Sequence, residues 1–234
     1  MNNLNLGRHI SGQFNEDLER VINLVMHMGG LVEKQLNDAL TSVGNADEDL
    51  AKKVLANDYQ INNLEVNIDD ECTRIIAKRQ PAAGDLRLIM AVVKTITDLE
   101  RIGDEAEKIA KVTLAHLNNN QQQALLLSLD NLGRRVVDFL HLTLDAFTRM
   151  DVESAIKIHA YDEKIDREYE ALIRQLMTYM MEDPRSIPQI MSVIWSARAL
   201  ERIGDRCQNI CEYIIYFVKG KVVRHTTAED MKKL

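Results

Sequence analysis

Apolar residues recur every three or four positions through six long stretches of this chain, the spacing that places them on one face of an α-helix. In the first stretch, Val21, Leu24, Val25 and Met28 follow this period. The pattern predicts six long helices, over residues 9–43, 47–79, 85–117, 124–150, 151–181 and 187–219. We therefore expect an all-α fold.

The separators between these stretches divide the chain into two similar halves. Pro81 lies between the second and third predicted helices, and Pro184 lies between the fifth and sixth. Between the halves, residues 118–123 form a run of Asn and Gln that is typical of a linker. We expect two similar three-helix bundles side by side, over residues 1–118 and 124–220, and then a loose C-terminal tail over residues 221–234.

Two local signals refine this scheme. Asp47 and Asp151 are expected to cap the second and fifth helices, because an aspartate side chain accepts a hydrogen bond from the first helical turn. The Gly29-Gly30 pair inside the first helix costs about 2 kcal/mol of helix propensity relative to alanine. It therefore indicates either a bend or a close contact with another helix.

A six-residue motif, Leu-Glu-Arg-Ile-Gly-Asp, occurs twice, at positions 99–104 and 200–205. On a helix, Glu100 and Asp104 lie one turn apart and continue the apolar stripe that Met90 and Val93 begin. A carboxylate on such a stripe is costly unless something compensates its charge. Each copy therefore predicts a cation, a basic partner or an opening to water beside its two acids.

The second helix of each half supplies further acids at a matching level. Asp58 and Asp104 each lie 23 positions from Pro81, so antiparallel helices joined at Pro81 bring them together. In the second half, Asp162 and Asp205 lie 22 and 21 positions from Pro184. The two acid stripes of these second helices are Asp58, Asn62, Glu65 and Asp69 in the first half and Asp162 and Asp166 in the second.

This register favours an oxygen-ligated cation site in each half, of the kind that suits Mg, Mn, Ca or iron. The alternative is that the acids face solvent and pair with Arg101 and Arg202. Di-iron enzymes built on helix bundles use two Glu-x-x-His sequences, and this chain contains none. A metalloenzyme or a metal store is therefore kept only as an alternative to a non-enzymatic role.

The composition narrows the class of protein further. Hydrophobic residues make up 46% of the 234 positions, which is enough for a packed core, and the net charge of −7 argues against a nucleic-acid binder. The sequence shows no secretory signal and no run of about 18 apolar residues, so we expect a cytoplasmic protein. The three cysteines fit buried, reduced side chains.

With the repeated motif, the paired halves and the turn Arg79-Gln80-Pro81 followed by Asp85-Leu86-Arg87, the sequence resembles the PhoU family of bacterial regulators of phosphate uptake. The resemblance extends from residues 6–10 to the end of the sixth predicted helix. It implies two bundles, each with acidic motifs that can hold metal ions.

Carried over residue by residue, the resemblance implies two metal sites of unequal strength. The first site consists of Asp58, Asn62, Glu100 and Asp104, and the second of Asp162, Asp166, Glu201, Asp205 and Asn209. Asn62 stands where the family pattern has an acid, and Lys108 stands where the second half has Asn209. We therefore expect divalent or iron-type ions, such as Mg, Mn or Fe, to bind the second site more readily than the first.

The resemblance also implies a role in the cell. Family members are negative regulators that link the ATPase subunit of the phosphate ABC transporter to a phosphate-sensor histidine kinase. This link favours the dephosphorylated response regulator. We expect a cytosolic adaptor of this kind, a homodimer that meets the membrane only through its partners, for which bound metal is not a requirement.

Overall fold

A computed structural model describes residues 12–116, 123–231 and 233 of the chain. All regular secondary structure in these residues is helical, which confirms the all-α prediction. The helices are α1 (Gly12–Asn45), α2 (Glu48–Asn57), α3 (Tyr59–Arg79), α4 (Ala83–His116), α5 (Gln123–Arg149), α6 (Val152–His159), α7 (Asp162–Glu182), α8 (Ile187–Lys219) and α9 (Ala228–Met231). A 3-10 turn over Pro184–Ser186 leads into α8.

The predicted aspartate caps are confirmed. The Asp47 carboxylate accepts a hydrogen bond from the backbone N–H of Leu50 at 2.9 Å, and the Asp151 carboxylate accepts one from the N–H of Ser154 at 3.0 Å. Each bond satisfies one of the N–H groups that a helix leaves free in its first turn.

The prediction of single long helices over residues 47–79 and 151–181 is wrong. A break at Asp58 separates α2 from α3, and a break at Ala160 and Tyr161 separates α6 from α7. Hydrogen bonds of the tighter three-residue type form at both places, from Ile61 N–H to the carbonyl of Asp58 at 3.0 Å and from Tyr161 N–H to that of Ile158 at 2.8 Å. The breaks keep right-handed helical torsions, so the apolar period continues across them and hides them in the sequence.

The two halves are joined side by side through their longest helices. Helix α4 packs along α8 between the two halves, and α1 contacts α5 beside them. The buried apolar side chains of both halves form one continuous core, so the bundles are joined by the same packing that stabilises each of them.

Helices α1 and α5 approach closely through two equivalent glycine contacts. A Cβ atom added at Gly29 would lie 2.8 Å from Cδ2 of Leu144, and one added at Gly133 would lie 2.7 Å from Cδ2 of Leu40. Both the glycines and the leucines are 104 positions apart, so the contacts are copies of each other. The close contact that the Gly29-Gly30 pair predicts is therefore present at Gly29, and α1 continues across it.

Polar groups also tie α4 to α8. The buried carboxylate of Asp98 accepts hydrogen bonds from the hydroxyl of Tyr213 at 2.8 Å and from Nη1 of Arg206 at 3.4 Å. Burial raises the pKa of Asp98, and the bonds from Tyr213 and Arg206 act in the opposite direction. Near the end of α8, Nε of Arg87 donates to the carbonyl of Phe217 at 3.3 Å, which satisfies a carbonyl in the last turn.

Two side chains of the C-terminal segment pack into the core, contrary to the prediction of a loose tail over residues 221–234. Val223 and Met231 are 2% and 1% exposed, and α9 contacts α6. The hydroxyl of Thr227 accepts a hydrogen bond from the N–H of Asp230 at 3.3 Å and so begins α9. The packing of Val223 and Met231 depends on contacts with distant residues, which local sequence patterns do not reveal.

Three further predictions concern the linker, the cysteines and the absence of a membrane span. Residues 1–11 and 117–122, which include most of the predicted linker over residues 118–123, lie outside the described residues, so the domain boundary stays a prediction. The three cysteines are buried and unpaired. Among the described residues, we find no helix that is both long enough and apolar enough to cross a membrane.

Adjacent glycines on α1 test the close contact. Gly30 has no neighbour within 4 Å of an added Cβ, so Gly30→Ala should stabilise the chain by about 1 kcal/mol through helix propensity alone. Gly29→Ala gains the same propensity but displaces Leu144, so its free energy of unfolding should be about 1 kcal/mol or more below that of Gly30→Ala. Urea unfolding of both variants measures the difference, and equal stabilisation would contradict the contact.

Candidate functional site

A buried aspartate lies at the first helix break and another directly after the second, each close to the glycine of a repeated motif. Asp58 is 8% exposed and Asp162 is 6% exposed. A Cβ atom added at Gly103 would lie 3.6 Å from Oδ1 of Asp58, and one added at Gly204 would lie 3.1 Å from Oδ1 of Asp162. Gly204 therefore leaves room for the Asp162 carboxylate, whereas the tightest contact of a Cβ atom at Gly103 would be with Cδ1 of Ile61, at 3.2 Å.

The predicted acid stripes meet around these two aspartates. We call Asp58, Asn62, Glu65, Glu100 and Asp104 the first cluster, and Asp162, Asp166, Glu201 and Asp205 the second cluster. The pKa values of Glu100 and Asp104 are raised, mainly by burial and then by repulsion from the nearby carboxylates. Burial and the nearby carboxylates also raise the pKa of Glu201 and of Asp205. The register inferred from the proline turns thus brings the stripes together.

In the first cluster, two side-chain amides satisfy the buried aspartate. Nε2 of Gln35 donates to Oδ1 of Asp58 at 2.6 Å, and Nδ2 of Asn62 donates to Oδ2 at 3.0 Å. The Gln35 amide also donates to the carbonyl of Gly103 at 3.2 Å. This one amide therefore ties α1 to the α2–α3 break and to α4, and both oxygens of Asp58 have a partner.

The second cluster lacks such donors. Oδ1 of Asp162 and Oε2 of Glu201 are buried, and neither has a hydrogen-bond partner among the residues that the structure describes. Burial raises the pKa of Asp162 to about 7, and the carboxylates of Asp166 and Asp205 add to this effect. Because an unpaired buried carboxylate oxygen is costly, this cluster calls for a proton, a water molecule or a cation beside it.

The arginines of the motif only partly fit the alternative that they neutralise the acids. Nη1 of Arg198, which precedes the second motif, lies 2.8 Å from Oε1 of Glu201. Arg202 instead reaches α4, where its Nη1 lies 3.3 Å from Oε1 of Glu105. Nζ of Lys108 lies 2.9 Å from the same Glu105 oxygen. Arg198 therefore forms an ion pair with one oxygen of Glu201, and the other oxygen has no hydrogen-bond partner among the described residues.

The arrangement does not form a ready-made metal centre. Within the described ranges, no group of three or more His, Cys, Asp or Glu side chains is placed so that it could hold a metal ion. Asn209, which we expected beside the second cluster, hydrogen-bonds Asp98 on α4. The metal sites therefore stay a prediction, and a cation at the second cluster would require side chains to reorient toward it.

Sequence reasoning missed Gln35, which decides how the first cluster is neutralised. The correct alignment of α1 with α5 would have shown that Gln35 and its equivalent in the second half differ. The turns that end these helices are equivalent, with Asp47 N–H bonded to the carbonyl of Ser42 at 2.9 Å and Asp151 N–H bonded to that of Ala146 at 3.0 Å. These turns are 104 positions apart, and the same offset aligns Gln35 with Phe139.

Comparison with known proteins places the whole chain among similar sequences and structures. The PhoU domain family matches residues 25–113 and 129–214, one stretch in each half. The phosphate-specific transport system accessory protein PhoU of Serratia marcescens is 56% identical over 234 residues, which is 100% of this chain and 96% of that protein.

Solved structures agree with the sequence comparison. The crystal structure of PhoU from Pseudomonas aeruginosa matches with a TM-score of 0.86 at 47% identity, over 89% of this chain and 100% of that one. The phosphate transport system regulatory protein PhoU from Streptococcus pneumoniae matches with a TM-score of 0.83 at 30% identity, over 90% of this chain and 99% of that one.

The unequal partners of the two aspartates predict opposite effects of one substitution. Asp162 keeps its proton up to about pH 7 when folded and loses it near 3.8 when unfolded, so its contribution to stability falls as the pH rises between these values. Without divalent ions, Asp162→Asn should therefore raise the free energy of unfolding at pH 8 by about 1–3 kcal/mol, at about 1.4 kcal/mol per pKa unit. It should also flatten the fall in stability between pH 4 and 7.

The matched control is Asp58→Asn in the first half. This change weakens the bonds that Gln35 and Asn62 donate, so it should destabilise the chain by about 1–3 kcal/mol at pH 8. Chemical denaturation in a chelating buffer measures both variants. A loss of stability in Asp162→Asn equal to that in Asp58→Asn would show that the two clusters do not differ.

Proposed function

Because the chain belongs to the PhoU family, we propose that it is a non-enzymatic negative regulator of phosphate uptake and of the phosphate-starvation response. The match of this family to both halves is the observation on which the proposal rests. The relatives are named as accessory or regulatory proteins of phosphate transport, which fits a regulator better than a catalyst.

In this proposal the chain is a cytoplasmic adaptor. It binds the ATPase subunit of a phosphate ABC transporter and a phosphate-sensor histidine kinase, and it favours the dephosphorylated response regulator when phosphate is abundant. A homodimer is the proposed assembly. Metalloenzyme activity or metal storage is the competing function, and the absence of Glu-x-x-His from the sequence disfavours it.

An exposed apolar surface near the start of α8 supports binding to another protein. Trp195 is 65% exposed, although a tryptophan side chain is usually buried or held in an interface. Ile187, Met191 and Trp195 recur every four residues along α8, and Met177 and Met181 add exposed apolar area on the antiparallel helix α7. Apolar groups gathered in this way are typical of interaction sites.

We further propose that a divalent cation binds the second cluster. Asp162, Asp166, Glu201 and Asp205 would hold it, and two buried oxygens there lack hydrogen-bond partners in the described part of the chain. Carboxylate oxygens suit hard cations such as Mg²⁺ and Mn²⁺. When bound, the cation supplies charge neutralisation, which would hold α7 against α8 without any chemical reaction.

The regulatory role predicts a clear result in cells. A strain that lacks its own protein of this family should repress a phosphate-responsive reporter in high phosphate only when it expresses this chain. Failure of the unaltered chain to restore repression would contradict the regulatory proposal.

The cation proposal predicts that the two motifs are not equivalent in the same reporter. Glu201→Ala/Asp205→Ala should weaken repression severalfold, and the matched control Glu100→Ala/Asp104→Ala should retain most of it. Equal repression by both variants at equal protein levels would show that regulation does not depend specifically on the second cluster.

The adaptor role predicts that the exposed surface on α8 contributes to partner binding. The unaltered chain should co-purify with the sensor kinase and with the transporter ATPase subunit. Trp195→Ala should weaken at least one of these associations by about tenfold or more, since exposed tryptophans are frequent hot spots. Leu142→Ala, an exposed apolar substitution on α5, is the control, and equal binding by both variants would exclude this surface.

A further inference from the structure

The two repeats satisfy equivalent buried carboxylates in different ways. Asp58 and Asp162 occupy equivalent positions at the helix breaks, and both lie close to the glycine of a repeated motif. Both oxygens of Asp58 accept hydrogen bonds from amides, whereas Oδ1 of Asp162 has no partner among the described residues.

The difference follows from two sequence changes at equivalent positions. With the offset of 104 positions, Gln35 corresponds to Phe139, and Asn62 corresponds to Asp166. Phe139 is fully buried and packs against the ring of Tyr161 with a centroid distance of 5.7 Å, so it cannot donate a hydrogen bond. The second cluster has therefore lost two amide donors and gained one carboxylate.

The amide of Gln35 already bonds the Asp58 oxygen that a metal ion in the first cluster would have to bind. It donates to Oδ1 of Asp58 and to the carbonyl of Gly103, at 2.6 and 3.2 Å. The Asn62 amide covers the other Asp58 oxygen. A cation that bound Asp58 would have to break these bonds. The Gln35 amide could turn its oxygen toward the cation only by losing its bond to the Gly103 carbonyl and setting two oxygens against each other. The residues of the first cluster therefore do not fit a metal ion.

We propose that Gln35 and Asn62 replace a cation in the first repeat, so that this repeat is closed by its own amides and only the second repeat responds to a divalent cation. The inference deepens the proposed cation site and rests on it for the second repeat. For the first repeat it rests on the amide bonds alone. The chain thus contains one fixed repeat and one ligand-dependent repeat of the same fold.

The test counts bound Mn²⁺ by native mass spectrometry and follows amide hydrogen exchange with and without Mn²⁺. The unaltered chain should bind one Mn²⁺, and the ion should slow exchange in residues 152–182 by tenfold or more without a comparable change in residues 48–79. Two bound ions, or equal protection of both segments, would overturn the proposal.

A near-isosteric variant separates this inference from the proposed function. Gln35→Glu/Asn62→Asp replaces both donors by acceptors and should create a second Mn²⁺ site with protection of residues 48–79. Gln13→Glu/Asn23→Asp changes the charge equally on exposed positions of α1 and should not. Circular dichroism checks that each variant is folded, and Asn62→Asp alone is the milder replacement if the double variant is not.

The outcomes are distinguishable. If the unaltered chain binds no Mn²⁺ but Gln35→Glu/Asn62→Asp creates a site that the control lacks, the proposed cation at the second cluster fails and the role of the amides stands. If the unaltered chain binds one ion and the altered chain gains none, the role of the amides is overturned. If no variant binds Mn²⁺, both proposals are overturned.

Discussion

A buried carboxylate held against a glycine is the constraint on which each repeat depends. At the breaks before α3 and α7, Asp58 and Asp162 are buried beside the glycine of the facing motif. The charge must then be compensated inside a packed bundle, because water has little access to it. The amides of the first repeat and the unpaired oxygens of the second are two responses to the same requirement.

Local signals were enough to predict most of the fold. The apolar period, the proline turns and the caps at Asp47 and Asp151 depend on neighbours in sequence, and the structure agrees with them. The breaks at Asp58 and at Ala160 were not predictable, since helical torsions carry the apolar period through them. The packing of Val223 depends on contacts with distant helices, which no local pattern records.

The candidate site was predicted as a set of acids and not as a set of interactions. Equal distances from Pro81 and Pro184 were sufficient to place the acid stripes at the same level. The hydrogen-bond partners of these acids were harder to predict. Gln35 and Phe139 are chemically unlike, so sequence similarity between the repeats does not align them. Asn209 was carried over from the family pattern, yet it hydrogen-bonds Asp98 of the other repeat. Interactions between repeats depend on how α4 meets α8.

The shared core along α4 and α8 has a consequence for any protein that assembles on this chain. Helix α8 contains 33 residues and so extends about 50 Å at 1.5 Å per residue. Arg87 and Asp98 fasten it to α4 at separate levels, and the apolar packing between them is continuous. Molecules bound at opposite ends of α8 would lie about 50 Å apart, because the helix is continuous from Ile187 to Lys219. The rise of the α-helix therefore sets the distance between two such binding sites.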